Sequence, residues 1–260
     1  MKRNYKYSSV FLIQLIMVLI IFIIGRLFGN LSTDVEDLAS SLYRYISILL
    51  INIVLIIFQF MLARGLIYNR MGSIGEYMDN INYLKFKTFG VCFVIMLIPY
   101  IALATLGASV ASALTADMMV NGEISSLSSL FGLAILVLIG QVIYGAFTCY
   151  RYFLAADHPQ ASFGELFKNT FKLGKNLFGK TIKTYLKWYI LPVIIFALLA
   201  GLITNTNKGM TSIGILSILS IVFVIYAIIS STIVLGELSN HYLDYNSNVK
   251  YEDNSVVYES

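Results

Sequence analysis

Charge is what this sequence has least of. Only 12% of its 260 residues are Asp, Glu, Lys or Arg, about half the share of an ordinary soluble domain. Hydrophobic residues make up 58%, and they come in long runs, which excludes a soluble globular chain and indicates the membrane class. The basic residues flank these runs and do not build one soluble basic face, so nucleic acid is excluded as a partner. Cysteine is scarce too: Cys92 and Cys149 both fall inside apolar runs, where a small polarizable side chain packs well and meets little oxidant. Neither is assigned to a disulfide, and no compartment is read from them. Of the two histidines, His158 has only Asp157 beside it, which is not a metal ligand set. There is no Gly-rich phosphate loop, so no cofactor is expected.

What is present is a series of six apolar segments approaching the roughly 20 residues that cross a bilayer core. They run over about 9–28, 45–63, 88–114, 130–150, 188–204 and 213–236. The first follows Lys2, Arg3 and Lys6, as in a secretory signal, but it exceeds the ~7–15 residues of a cleavable apolar region and no A-x-A site follows. Lipid offers no partners to backbone N–H and C=O groups, and the runs lack the alternation of barrel strands, so each is read as a helix. The fold class is therefore all-α: a polytopic transmembrane bundle of six helices forming one domain over 1–236. The polar remainder, 237–260, is too short for a domain and reads as a disordered cytoplasmic tail.

Lysine and arginine set the orientation. With the N-terminus inside, the inner segments hold fifteen of the eighteen basic residues, and only Arg26, Arg44 and Lys208 fall outside. The positive-inside rule then puts both termini in the cytoplasm. The first two outer loops are acidic, with Asp34, Glu36 and Asp37 in the first and Asp117 and Glu123 in the second. An Asn30-Leu31-Ser32 sequon lies in the first, and matters only in a secretory pathway.

Seven basic residues crowd the stretch from Arg151 to Lys187, between the fourth and fifth spans. Ser162-Phe163-Gly164-Glu165 spells a capping box, in which Ser caps a helix and Glu three residues later reaches back to it. Projected from Ser162, Lys168, Lys172, Lys175, Lys180, Lys183 and Lys187 fall within an arc of roughly 140°, opposite Phe163, Leu166, Phe167, Phe171, Leu177, Phe178, Ile182 and Tyr185. This is the pattern of an amphipathic cytoplasmic helix. Together with Arg151, the lysines are candidates to bind anionic headgroups of the inner leaflet. The other reading is that the apolar face packs on the protein's own helices and the lysines only set topology. Gly174 and Gly179 are expected to loosen or bend the helix. Trp188 and Tyr189 sit where an aromatic belt belongs, and Pro192 in the fifth span's first turn.

The same four-letter spelling recurs at Ser73-Ile74-Gly75-Glu76. Each box follows an Arg closing an apolar run (Arg64, Arg151), and each leads to basic residues and a span containing a proline (Pro99, Pro192). Spans two and three would then correspond to spans four and five as a parallel repeat. Two cytoplasmic loops that each need a helix cap would give the same likeness.

Within the spans the polar residues are Gln14, Asn52, Gln59 and Gln141, with no charge mid-span. They could line a solute path or form interhelical hydrogen bonds that hold the bundle. Gly107, Ala108, Ala111 and Ser112, and Gly140 with Gly145, read as close helix contacts. Asp157-His158-Pro159 reads as a turn, since no nucleophile stands nearby in sequence to make an acid–base site.

In the order of these features the chain resembles a poorly characterised family of bacterial six-helix integral membrane proteins related to the membrane domain of some glycerophosphodiester phosphodiesterases. The likeness is carried by Ala63-Arg64-Gly65 leading to Ser73–Glu76, and by Tyr150-Arg151-Tyr152-Phe153-Leu154-Ala155-Ala156-Asp157 followed by Ser162–Glu165 and the Lys-rich run to Trp188. It implies the membrane architecture and no activity, because the catalytic part of those enzymes is a separate soluble barrel. The expected function is that of a multi-pass, non-enzymatic protein of the bacterial cytoplasmic membrane, acting in the envelope through membrane lipids or a membrane-protein partner. The alternative is a transporter, or transporter subunit, for a small neutral or amphiphilic solute.

Overall fold

Six helical stretches among the described residues are long and apolar enough to cross a membrane, beginning near Tyr7, Leu42, Phe86, Ile135, Phe163 and Gly214. Each matches one expected span. The computed structural model describes residues 4–31, 38–121, 127–206 and 210–255, and side chains within 4–28, 42–105, 135–203 and 214–247. The acidic residues of the first two outer loops, Ser32 of the sequon and the packing of Gly107, Ala108, Ala111 and Ser112 lie outside these ranges.

The elements are α1 (Tyr7–Leu31), α2 (Leu38–Tyr68), α3 (Ile74–Met78), a 3-10 turn (Asp79–Tyr83), α4 (Phe86–Asn121), α5 (Leu127–Thr148), α6 (Arg151–Asp157), α7 (Phe163–Tyr185), a π turn (Leu186–Ile190), α8 (Leu191–Thr206) and α9 (Met210–Ser255). No strand occurs among the described residues. The most extensive packing joins α1 to α2, α2 to α6 and α5 to α7.

The core sits at one end of the bundle, the end carrying α3, α6 and α7. There Ile13, Ile56, Phe60, Leu66, Tyr77, Ile95, Tyr150, Phe153, Leu166 and Tyr242 are all but fully buried. Toward the other end Leu19, Phe22, Leu27, Leu136, Leu138, Leu198, Leu202, Ile218 and Ile221 are exposed, as apolar side chains are when lipid is their solvent. Lipid tails are as apolar as leucine, so helices inside a bilayer are held by close packing and interhelical hydrogen bonds.

The two span prolines show how those bonds are placed. Pro99 lies inside α4 and cannot donate to the carbonyl of Ile95, four residues earlier. That oxygen accepts instead from the hydroxyl of Tyr144 on α5. Pro192 likewise leaves the Trp188 carbonyl without its helical donor, and the hydroxyl of Tyr226 on α9 donates to it at 3.0 Å. The π turn just before Pro192, where the Leu191 N–H reaches back to the Leu186 carbonyl, widens the backbone where the ring would otherwise meet it. Pro192 therefore sits within one unbroken helical run from Phe163 to Thr206, and not in the first turn of a fresh helix. The third proline, Pro159, follows His158, whose φ of −117° and ψ of 65° leave the α region, which a following proline disfavours, and α6 ends there.

α7 continues through Gly174, where a Cβ would lie 1.9 Å from the Phe147 carbonyl oxygen, so the bare backbone lets α7 lie directly on α5. The expected disordered tail is corrected: α9 continues past Gly236 to Ser255, with Leu238, Ser239 and Tyr242 buried.

Candidate functional site

At the packed end α5 stops at Thr148, two turn residues intervene and α6 starts at Arg151. That break turns the Arg151 side chain inward, apart from the lysines of α7. Its Nη1 donates to the Thr148 carbonyl at 3.2 Å and to the Thr148 hydroxyl at 3.3 Å. Nη2 donates to the Tyr152 hydroxyl at 3.2 Å, and the guanidinium carbon stands 4.5 Å from the centre of the Tyr152 ring. Nε is shut off from solvent and has no hydrogen-bond partner. Among the described residues no carboxylate pairs with this guanidinium.

Arg151 borders a cavity of about 330 Å³. Gln14 of α1, Gln59 of α2, Tyr152 of α6, Tyr185 of α7, Tyr189 of the π turn and Ser231 of α9 supply the remaining polar lining, and Leu55, Met96, Val234, Leu235 and Leu238 supply apolar wall. The Gln14 carbonyl oxygen accepts from the Ser231 and Thr232 hydroxyls, the latter at 3.0 Å. Gln59 makes only a long contact, Nε2 to the Met17 sulfur at 3.9 Å.

The four intramembrane polar residues thus divide among three places. Gln14 and Gln59 meet at the cavity. Asn52 instead bonds within the bundle, its amide nitrogen donating to the Ile48 carbonyl at 2.7 Å and its oxygen facing the Tyr100 hydroxyl at 3.5 Å. Gln141 lines a separate, largely apolar groove between α4 and α5 with Pro99, Leu136 and Tyr144.

Lys168, Lys172, Lys175, Lys180 and Lys183 of α7 and Lys187 of the π turn are all exposed. The opposite stripe of Leu166, Thr170, Leu173, Leu177, Thr181 and Thr184 is buried. Phe178 packs against Phe147 with ring centres 5.0 Å apart, and Phe171 against Tyr144 at 6.2 Å. Much of the apolar side of α7 is therefore taken up by the protein's own helices. Lys187 lies 3.8 Å from the Glu237 carboxylate.

Asp157 proves structural. It accepts from the Tyr68 hydroxyl at 2.9 Å, the Tyr242 hydroxyl at 2.7 Å and the Asn246 amide at 2.8 Å, tying α2, α6 and α9 together, while the His158 side chain is exposed. Sequence reasoning also missed Glu237, which accepts from the Trp188 indole and the Thr184 hydroxyl, each at 3.0 Å. A signal for this α9 extension does exist in the sequence: Leu235, Leu238, Tyr242 and Tyr245 recur at helical spacing beyond the last apolar run. Among the described residues no three metal-capable side chains gather.

Compared with protein families, curated proteins and solved structures, the chain gives no match.

Proposed function

We propose that this chain is a multi-pass integral protein of a bacterial cytoplasmic membrane, with both termini and the two loop helices on the cytoplasmic side. It acts in the envelope without catalysis, through contacts with membrane lipids or a membrane-protein partner. One observation carries this reading: the five lysines of α7 and Lys187 of the π turn after it are all exposed, while the stripe from Leu166 to Thr184 is buried. An amphipathic helix of this kind presents a basic strip to anionic headgroups, each lysine contributing about 1 kcal/mol when near the surface. The relation to the six-helix family rests on the two capped stretches described above, and no activity comes with it.

Trp188 is the single tryptophan and lies beside the end of the strip, with Lys187 Nζ 4.6 Å from its ring centre. In the reconstituted full chain, brominated phosphatidylglycerol should quench its fluorescence more than brominated phosphatidylcholine. Salt, or Lys→Gln changes at the six positions, should remove the difference. Equal, salt-insensitive quenching by both lipids would defeat the proposal.

A second reading, handling of a small neutral or amphiphilic solute, is favoured by the cavity where Gln14 and Gln59 meet. Asn52 and Gln141 lie elsewhere and do not contribute to it, and the arginine at its border favours an anionic amphiphile over a neutral solute.

A further inference from the structure

We propose that the cavity bordered by Arg151 is a binding site for the oxyanion headgroup of an anionic amphiphile, with phosphate as the favoured chemistry. The site is separate from the lysine strip. It requires only that the chain be embedded in a bilayer, so its test does not depend on that strip.

Arg151 carries an uncompensated charge. Arginine cannot shed its proton, and a charge held among membrane helices is expensive unless something opposes it. Arg151 meets a carbonyl and two hydroxyls, and its Nε has no partner. Arg64 is the instructive contrast. Its Nε is unpartnered too, but it stacks 3.8 Å from the Tyr83 ring centre and 4.8 Å from that of Tyr68, and the Tyr68 hydroxyl is bonded to Asp157, so a carboxylate stands one side chain away. No carboxylate lines the Arg151 cavity.

The other polar groups suit the same ligand. The Gln14 carbonyl oxygen is taken by two hydroxyls of α9, which leaves its amide N–H groups as donors. Hydroxyls of Tyr185 and Tyr189 also border the space and can donate. A guanidinium with amide and hydroxyl donors is the equipment for a phosphate or carboxylate. The apolar walls discriminate further. A free hydrated anion gains nothing from Leu55, Met96 or Leu235, whereas an amphiphile brings an apolar portion to cover them. Gln14 and Gln59 both lie within stretches long and apolar enough to span the membrane, where lipid and not water is the neighbouring phase.

The test is lipid retention by the full-length chain, purified in mild detergent and read by native mass spectrometry. The wild type should keep phosphatidylglycerol in preference to phosphatidylcholine when offered both. Arg151→Gln should lower that retention at least about tenfold, as loss of the charged partner of a bound anion does, and Arg151→Lys should restore part of it. Gly145→Leu is the second variant. Gly145 lines the cavity, a Cβ there meets nothing within 4 Å, and the added side chain fills the space with Arg151 left in place. It should lose the lipid even if Arg151→Gln does not fold.

A Lys168→Gln/Lys172→Gln/Lys175→Gln triple variant should keep it, which separates this site from the strip. Retention unchanged in folded Gly145→Leu, equal retention of the two lipids, or loss in the lysine triple variant would each overturn the proposal. Inorganic phosphate is added as a separate arm to the chain in phosphatidylcholine nanodiscs. Thermal stabilisation there as large as phosphatidylglycerol gives would mark a free-anion site and overturn the amphiphile assignment.

Discussion

Residues 69–85 and 158–187 perform one task, joining two membrane helices, with very different lengths of ordered chain. They start alike. Ser73 has φ −70° and ψ 169°, and Ser162 has φ −69° and ψ 164°. The Ser73 N–H donates to the Glu76 carboxylate at 2.6 Å and the Glu76 N–H to the Ser73 hydroxyl at 3.3 Å. The corresponding distances at Ser162 and Glu165 are 2.7 and 3.3 Å. Each unit also ends on a proline helix whose orphaned carbonyl is answered by a tyrosine of the following long helix. The difference lies after the cap. In the first unit Asp79, Asn80 and Asn82 compete for the backbone and end α3 after five residues, and Tyr77 tucks against Gly65. In the second, Leu and Lys are good helix formers and the helix has surfaces to lie on, Gly174 and Phe178 against Phe147 of α5 and Thr184 against Glu237 of α9, so it runs 23 residues and into α8. The cap decides where a helix starts; propensity and a receiving surface decide how far it goes.

The most damaging way to break the second unit is Gly174→Val, which puts side-chain atoms into the Phe147 backbone. Overpacking of this kind costs about 1–3 kcal/mol or more, and against rigid backbone the upper end is expected. The unfolding temperature in detergent should fall sharply or the purified chain lose monodispersity. Gly179→Ala, at a position with open space, should be neutral or stabilise by up to about 1 kcal/mol.

Next come the tyrosines. Tyr144→Phe and Tyr226→Phe should each cost about 0.6–2 kcal/mol, the range for hydrogen bonds between membrane helices. If the two prolines are served independently, the double variant should show the sum in thermal unfolding.

Smaller still, Ser73→Ala and Ser162→Ala each remove a cap worth about 1 kcal/mol, but the outcomes should differ. In hydrogen exchange the whole of α3 should lose protection, whereas only the first turn of α7 should fray. The smallest effect is that of pH. The Ser73 backbone N–H holds the Glu76 carboxyl below the usual carboxylate range. With the folded value depressed, the cap's contribution is complete above the ordinary glutamate range and is lost as pH falls through the lowered value. After correction for intrinsic exchange, protection over 73–78 should therefore hold at neutral pH and fade only in acid, and Glu76→Gln should flatten the profile.

Much of this could be read from the chain itself. Long apolar runs announced all six membrane-length helices, and both capping boxes formed as spelled, because each signal is local. Three features were hidden for distinct reasons. The hydropathy fall after Gly236 masked the stripe of Leu235, Leu238, Tyr242 and Tyr245, which packs α9 onward through a polar stretch. Gly174 looked like a weak point because glycine costs a helix about 1 kcal/mol, a loss outweighed by the contact its missing Cβ permits. Arg151 looked like the first of seven surface charges because it ends an apolar run. Only the break at residues 149–150 turns it inward, and its meeting with Gln14 and Gln59 depends on which helices are neighbours.

The π turn at Leu186–Ile190 also sets a phase. It holds one residue more than α geometry would, and one residue is about 100° of helical rotation. Phe163 to Thr206 is a rod of about 66 Å, roughly twice the thickness of a bilayer core, and this turn is where its two ends are timed against each other. Deleting a single residue there would rotate α7 relative to α8 by about the width of the Leu–Thr stripe, so Gly174 and Phe178 would no longer face α5. The angular position of the lysines is thus geared, through five residues, to the helix that carries Pro192.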